Sequence, residues 1–270
     1  MNIDVTTLAR VDTYLHTVPL SSARPEEVGP FTLFRSKSAW PYYARPRPGS
    51  TAEFTSDDLD RLRARCRELG LPLSLEWVIE TAPSLAAVAA AAGLTLIEHP
   101  LLVVRPSTFV PAPANPAAPV RIAEPDPLAL AAARAVADVA FQHPGTEVSD
   151  AGPLDRDTQI PLIPVDRVAS QVERARSGLT VSAVALGPDG RPVASGQHQP
   201  VESTSEIVGV ATLPAFRRQG LAAAVTSALV EHAFAGGVDL VLLSAQDDDV
   251  ARVYERLGFT RIGHVGAAET

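Results

Sequence analysis

The chain has 270 residues, of which 46% are hydrophobic and 20% charged, which suits one large or two modest globular domains and is too apolar for disorder. A net charge of −8 argues against a non-specific nucleic-acid binder. The single cysteine, Cys66, rules out an intrachain disulfide and argues against a cysteine-based zinc site.

The first residues, MNIDVTTLARVDTYLH, contain neither the basic flank nor the apolar stretch of a secretory signal. The longest apolar run, near Leu85 to Leu94, is Ala-rich and too short to span a bilayer. The expectation is a cytoplasmic protein with no membrane or nucleic-acid partner, as a monomer or homodimer. Thr55 to Gly70 is well marked as a helix. Thr55 or Ser56 caps it, acids fill its first turn, arginines follow, and Gly70 closes it. Leu73 to Ile79 reads as a strand, Pro83 to Ala92 as a helix ended by Gly93, and Thr95 to Val104 as a strand. Trp40, Tyr42, Tyr43 and Trp77 supply most of the large aromatics of this half, for core packing or for an acceptor pocket. Cys66 lies in the charged helix, an unsuitable place for an acyl carrier.

Prolines at 106, 111, 113, 116 and 119 make Arg105 to Pro119 a stiff extended linker. The expected domains are therefore residues 1–105 and 120–270, joined by 106–119. In the second, Val120 to Ala123 is a short strand, and Asp126 to His143 is a helix capped by Asp126. Residues 144–163 read as a loop near the substrate side, and Val165 to Ser177 as a helix closed by Gly178. Thr180 to Leu186 and Pro192 to His198 form a hairpin around Gly187-Pro188-Asp189-Gly190. Glu206 to Thr212 is a strand rich in β-branched residues, stopped by Pro214. Arg217 to Gly220 form a basic turn, and Leu221 to Phe234 a helix with apolar positions at helical spacing.

A basic turn that feeds a helix N-terminus is an anion site. The first-turn N–H groups point outward and the helix dipole favours negative charge. Gly220 lets a bulky anion approach the backbone, so the ligand suggested is a phosphate or pyrophosphate. An exposed basic turn on an ordinary helix would have the same sequence.

Arg217-Arg218-Gln219-Gly220-Leu221-Ala222 is similar to the R/Q-x-x-G-x-G/A signature of the GNAT N-acetyltransferases. Val238 to Ala245 resembles the fifth strand of that family, and Val250 to Phe259 resembles its next helix, with Tyr254 before Glu-Arg-Leu-Gly-Phe. The resemblance covers residues 120–270 and is faint before them. It implies an α/β (α+β) fold with a mixed, splayed sheet flanked by helices. It also implies acetyl-CoA as co-substrate, no metal, and transfer of acetyl by direct attack of a small-molecule or peptide amine. Backbone N–H groups near Val210 and Ala211 would polarise the thioester. Amides from Arg218, Gln219 and Gly220 through Leu221, Ala222 and Ala223, with the side chains of Arg217 and Arg218, would hold the pyrophosphate. Asp247 stands where the family often has an Asn that touches CoA, and within Asp247-Asp248-Asp249 it equally serves as a helix cap.

Tyr254 matches the family tyrosine that gives a proton to the departing thiolate. Glu206, fourteen residues before Gly220, resembles the strand carboxylate that acts as general base in the histone-acetyltransferase branch. A partly buried carboxylate has its pKa raised and can take the proton of the substrate ammonium, although many relatives use only water. Ser244 would help polarise the thioester or hold a water, or simply bond backbone. His198 and His232 read as core or surface residues, and His264 in the last strand as a side chain able to face the acceptor. Two other readings are a non-catalytic acyl-CoA-binding or regulatory protein, and a tandem-domain scaffold. The strand–helix–Gly–strand order before residue 105 resembles the end of the same domain. That half is then a degenerate copy, or else an unrelated α/β domain that presents loops over the cleft.

Overall fold

The computed structural model describes residues 4–37, 43–50 and 53–269. Trp40 and Tyr42 lie outside the described residues. The chain opens with α1 (Val5–Thr17), whose first turn is closed by Asp4 accepting the Thr7 N–H (3.2 Å). There follow β1 (Ala23–Val28), β2 (Phe31–Ser36), β3 (Ala44–Pro46), α2 (Ser56–Leu69), β4 (Ser74–Val78), α3 (Pro83–Ala91) and β5 (Thr95–Val104). Helix α2 starts in a capping box. The Asp58 N–H donates to Thr55 Oγ1 (3.3 Å) and the Thr55 N–H donates to Asp58 Oδ2 (3.1 Å). Trp77 is fully buried in a core with Leu59, Leu62, Leu75 and Leu85, so it packs rather than lining a pocket.

The second run is β6 (Val120–Ile122), α4 (Pro127–Gln142), α5 (Pro153–Gln159), α6 (Val165–Arg176), β7 (Val181–Leu186), β8 (Pro192–Val201) and β9 (Thr204–Thr212). It continues through α7 (Leu221–Ala235), β10 (Leu240–Ser244), α8 (Asp248–Glu255) and β11 (Thr260–Glu269). Helix α5 corrects the expectation of a loop over 144–163. It is anchored by Arg156, fully buried, which donates to Asp157 Oδ1 (2.7 Å), Asp189 Oδ2 (2.8 Å) and the Pro192 carbonyl (2.8 Å). A buried guanidinium must find acceptors: Asp157 lies beside it on α5, and Asp189 and the Pro192 carbonyl fix the helix against the β7–β8 turn.

The chain divides into two compact units, and the division is not sequential. The first takes residues up to Leu102, Ser244–Ala251 and residues from Thr260. The second takes Val103–Leu243 and Arg252–Phe259. The expectation of one domain over 120–270 fails at β11, which pairs antiparallel with β4 from Val265↔Val78 to Glu269↔Ser74. The proline-rich segment 106–119 is held within the second unit. The Val110 N–H donates to the Leu257 carbonyl (3.0 Å), and the Ala112 N–H to Ser227 Oγ (3.0 Å).

In the first unit the strand order is β1-β2-β3-β4-β11-β5, with β3 and β4 parallel through Ala44↔Leu75. In the second it is β10-β9-β8-β7-β6, antiparallel except for β9 and β10. There α4 covers one face, where Ser195 Oγ donates to the Ala133 carbonyl (2.8 Å). Helix α7 covers the other, where Val225 and Leu229 lie over Gly196 of β8. Each run repeats one order of elements, β1-β2-β3-α2-β4-α3-β5 and β7-β8-β9-α7-β10-α8-β11. The fold is mixed α/β, with a splayed, open sheet flanked by helices.

Candidate active site

Strand β9 pairs with β8 along its length, but with β10 only through Leu240↔Thr204, Val241↔Ser205 and Leu242↔Glu206. Just beyond, the register against β8 slips: Ser195 opposes Ala211 and Gln197 opposes Val208. One extra β9 residue is accommodated there, and Gly209 takes it up at φ +62°. A bulge adds local twist and turns its strand aside. Here it lies where the two parallel strands separate. Val210, expected to serve through its amide, sits on this bulge beyond the last β10 pair, but Ala211 is back in register opposite Ser195. The Leu213 N–H donates to the Val193 carbonyl, so the Ala211 amide two residues before it also faces β8 and not the open edge as expected.

The chain then runs through Pro214 into the turn. Arg218 at φ +61° and Gly220 at φ +75° place two left-handed residues in succession around Gln219, a backbone shape that gathers N–H groups into an anion-binding concavity. Gly220 is the N-cap of α7 and has no side chain to satisfy it. The first helical bond is from the Ala224 N–H to the Gly220 carbonyl (3.0 Å), so the amides of Leu221, Ala222 and Ala223 precede the ladder. A Cβ at Gly220 would meet nothing within 4 Å, which leaves room for an anion. Helix α2, its counterpart in the first run, is closed by its own capping box and carries Asp57 and Asp58 in its first turn. Those carboxylates disfavour a second anion there.

The arginines divide their roles. Arg217 donates to the carbonyls of Ala140 (3.2 Å), His143 (2.6 Å) and Glu147 (3.0 Å), so its side chain caps the end of α4 instead of facing the amide cradle as expected. Arg218 is exposed and pairs with Glu147 Oε1 (2.6 Å). Glu206 is half-buried. It lies opposite Gln199 of β8, and paired residues share a face, so it points to the α4 side of the sheet. Tyr254 is 7% exposed, edge-on to Phe259 with ring centroids 6.1 Å apart. Burial pushes its phenol up to about 12.

Ser244 is exposed at the end of β10, not buried. Asp247 accepts the Val250 N–H at Oδ1 (2.9 Å), and its carbonyl accepts the Ala251 N–H (2.9 Å). It is therefore used as the cap of α8. Within the first unit, His264 is held by Glu80, which accepts the His264 N–H (3.0 Å) and meets its Nδ1 (3.1 Å). Cys66 is buried, and burial raises its thiol pKa, which leaves it inert. Among the described residues no helix is long and apolar enough to cross a membrane.

The acetyltransferase (GNAT) family model matches residues 158–259, the stretch that holds β9, the cradle and Tyr254. Residues 158–259 are a GNAT acetyltransferase domain. The match over this stretch supports acyl transfer as the chemistry. No curated protein matches the chain. Among solved structures, the chain is similar to a GCN5-related N-acetyltransferase from Kribbella flavida, at 24% identity and TM-score 0.73, over 97% of this chain and 95% of that one. It is also similar to a tandem GNAT protein from the clavulanic acid biosynthesis pathway, at 14% identity and TM-score 0.57, over 98% and 96%. A GCN5-related N-acetyltransferase-like protein from Streptococcus suis matches at 13% identity and TM-score 0.55, over 98% of both chains. At these identities the likeness concerns the fold.

Sequence reasoning missed two features of the GNAT domain. One is the bulge, although an isolated glycine inside a strand pattern is its usual signal. The other is a chain of polar contacts behind β9 that runs from buried Ser205 and His198 out to exposed His232. His198 Nδ1 meets Ser205 Oγ (2.9 Å) and its Nε2 meets His232 Nδ1 (3.0 Å). Burial first, and the neighbouring His232 second, pull His198 down to about 4.

Proposed function

We propose that the protein is an acyl-CoA-dependent N-acyltransferase that moves acetyl from acetyl-CoA to a primary amine by direct attack. The observation that carries this reading is one run of backbone from β9 into α7. It combines a strand parting, a bulge and an uncapped helix N-terminus. Acetyl-CoA brings an acyl group already activated as a thioester. The amides of Leu221, Ala222 and Ala223, with the space before Gly220, suit its pyrophosphate. Arg218 reaches the same anion by giving up an exposed pair of small worth.

The amide at Val210 donates to the thioester oxygen, where negative charge develops during attack. Glu206 accepts the proton that a substrate ammonium must lose before its nitrogen becomes nucleophilic. Tyr254, its phenol kept protonated by burial, donates to the leaving sulfur. A free thiol titrates near ~8.5, so this transfer is uphill to a solvated thiolate. A thiolate desolvated beside Tyr254 is more basic, which narrows the gap. The acceptor is a small-molecule or peptide amine, and the setting is cytoplasmic. Thiol release from acetyl-CoA that depends on an amine, measured across a panel of amines, tests the reading. Tight CoA binding with no release for any amine would instead favour a non-catalytic binder.

A further inference from the structure

The face of the sheet that carries Glu206 also holds a cavity of about 50 Å³ between β7, β8 and α6. Its polar lining is Gln171, Arg174, Thr180, Ser182, Gln197 and Gln199. Three of these are carboxamides and two are hydroxyls. The one formal charge is positive, and no carboxylate lines the space. The walls are braced among themselves: Gln197 Nε2 donates to Ser182 Oγ (3.3 Å), and Arg174 Nε donates to Thr180 Oγ1 (3.2 Å). Gln171 differs. Its Oε1 is sealed from solvent and accepts no hydrogen bond among the described residues. A buried acceptor left open is costly, and turning the carboxamide into the cavity would let a donor brought by a ligand relieve it.

Register places this cavity relative to Glu206. Gln199 is opposite Glu206, and two residues along β8 Gln197 is opposite Ser182 of β7, so Glu206, Gln199, Gln197 and Ser182 share one face. Strands lie ~4.8 Å apart, so the β7 backbone that walls the cavity is about 10 Å from the β9 backbone that carries Glu206. An amine presented to Glu206 can extend its far end into the cavity.

We propose that the cavity receives the far end of the amine acceptor, and that this end is an uncharged hydrogen-bond donor, as in an amino alcohol or amino sugar. A second ammonium is excluded, because the lining offers it no carboxylate and sets Arg174 against it. An unpaired buried cation is far costlier than an unpaired hydroxyl. Gln171 is then the residue that sets specificity. The proposal rests on the acetyl-transfer reading for the position of the amine, and the test separates the two.

Aminohexanol, hexylamine and diaminohexane are of matched length and differ only at the far end. Their binding is measured by calorimetry on the full chain, and their turnover by thiol release from acetyl-CoA. The expected order for both is aminohexanol first, by at least ~10-fold over hexylamine, with diaminohexane last. Gln171→Leu should erase the preference for the hydroxyl, and Gln171→Glu should raise diaminohexane above aminohexanol. If amines bind in this order and respond to both variants without any turnover, the cavity assignment stands and the acetyl-transfer reading falls. If turnover occurs but neither variant changes the order, acetyl transfer stands and the cavity assignment is overturned. Equal binding of hexylamine and aminohexanol also overturns it.

Discussion

Replacing Gly220 by Asp and by Asn separates charge from shape at the cradle. Gly220 stands at φ +75°, a left-handed backbone that Asn and Asp tolerate better than other side chains. Both variants therefore carry a similar strain of about 1 kcal/mol. A Cβ at this position meets nothing within 4 Å, so either side chain stands in the open space before the Leu221 to Ala223 amides. A carboxylate about 5 Å from one phosphate charge, at an effective dielectric near ~20, costs about 3 kcal/mol. That corresponds to ~100-fold in CoA affinity, whereas Asn lacks this term. Without CoA the order should reverse, because a carboxylate at the N-cap of α7 favours the helix. Calorimetric titration with CoA measures the difference, and thermal melts confirm that both variants fold. Added salt should narrow the gap between them. Equal CoA affinities for folded Gly220→Asp and Gly220→Asn would refute the placement of the anion.

Tyr254→Phe should lower kcat by ~10²-fold with little change in acetyl-CoA affinity, seen by pairing steady-state rates with calorimetry. Because burial holds the phenol near about 12, the wild-type rate should show no alkaline limb from this group below pH ~11. Glu206→Gln should lower kcat by ~10²-fold or more at unchanged CoA affinity, and an undiminished rate on the same amine would assign the proton to water. His198 has a folded pKa of about 4 against an ordinary value of 6.5, so the unfolded chain binds its proton first. Its contribution to stability is complete above the ordinary value and drains as pH falls toward the folded one, by about 3 kcal/mol over the window. The carboxylates of Glu26, Asp58, Asp157 and Asp189 are lowered, so their share is lost only at more acidic pH. A Tm that stays flat from pH 7 to ~4.5 would contradict the His198 account.

The elements that carry the candidate site were legible because each has a local cause in its sequence. Strand β9 is β-branched, Pro214 ends it, and an Ala-rich run follows Gly220. The start of the chain was silent for equally local reasons. Strand β1, ARPEEV, buries only Ala23 fully, and β3 is three residues long and ends on Pro46. Helix α1 has no acid in its first turn to mark it. Helix α5 was hidden among prolines and depends on Arg156, whose partners Asp189 and the Pro192 carbonyl lie some thirty residues on. The role of Arg217 was not readable, because an anion ligand and a helix C-cap both call for a cation. Nothing in Thr260 to Glu269 signals that β11 pairs with β4, since that choice is made by tertiary packing.

The central claim is that acyl-CoA lies along β9 with its pyrophosphate on α7. A crystal structure of the full chain grown with acetyl-CoA tests it most directly. The account predicts the pyrophosphate within hydrogen-bond reach of the Leu221, Ala222 and Ala223 amides, and the thioester oxygen at the Gly209 bulge. Pyrophosphate bound away from α7, or a thioester remote from Val210, would contradict it.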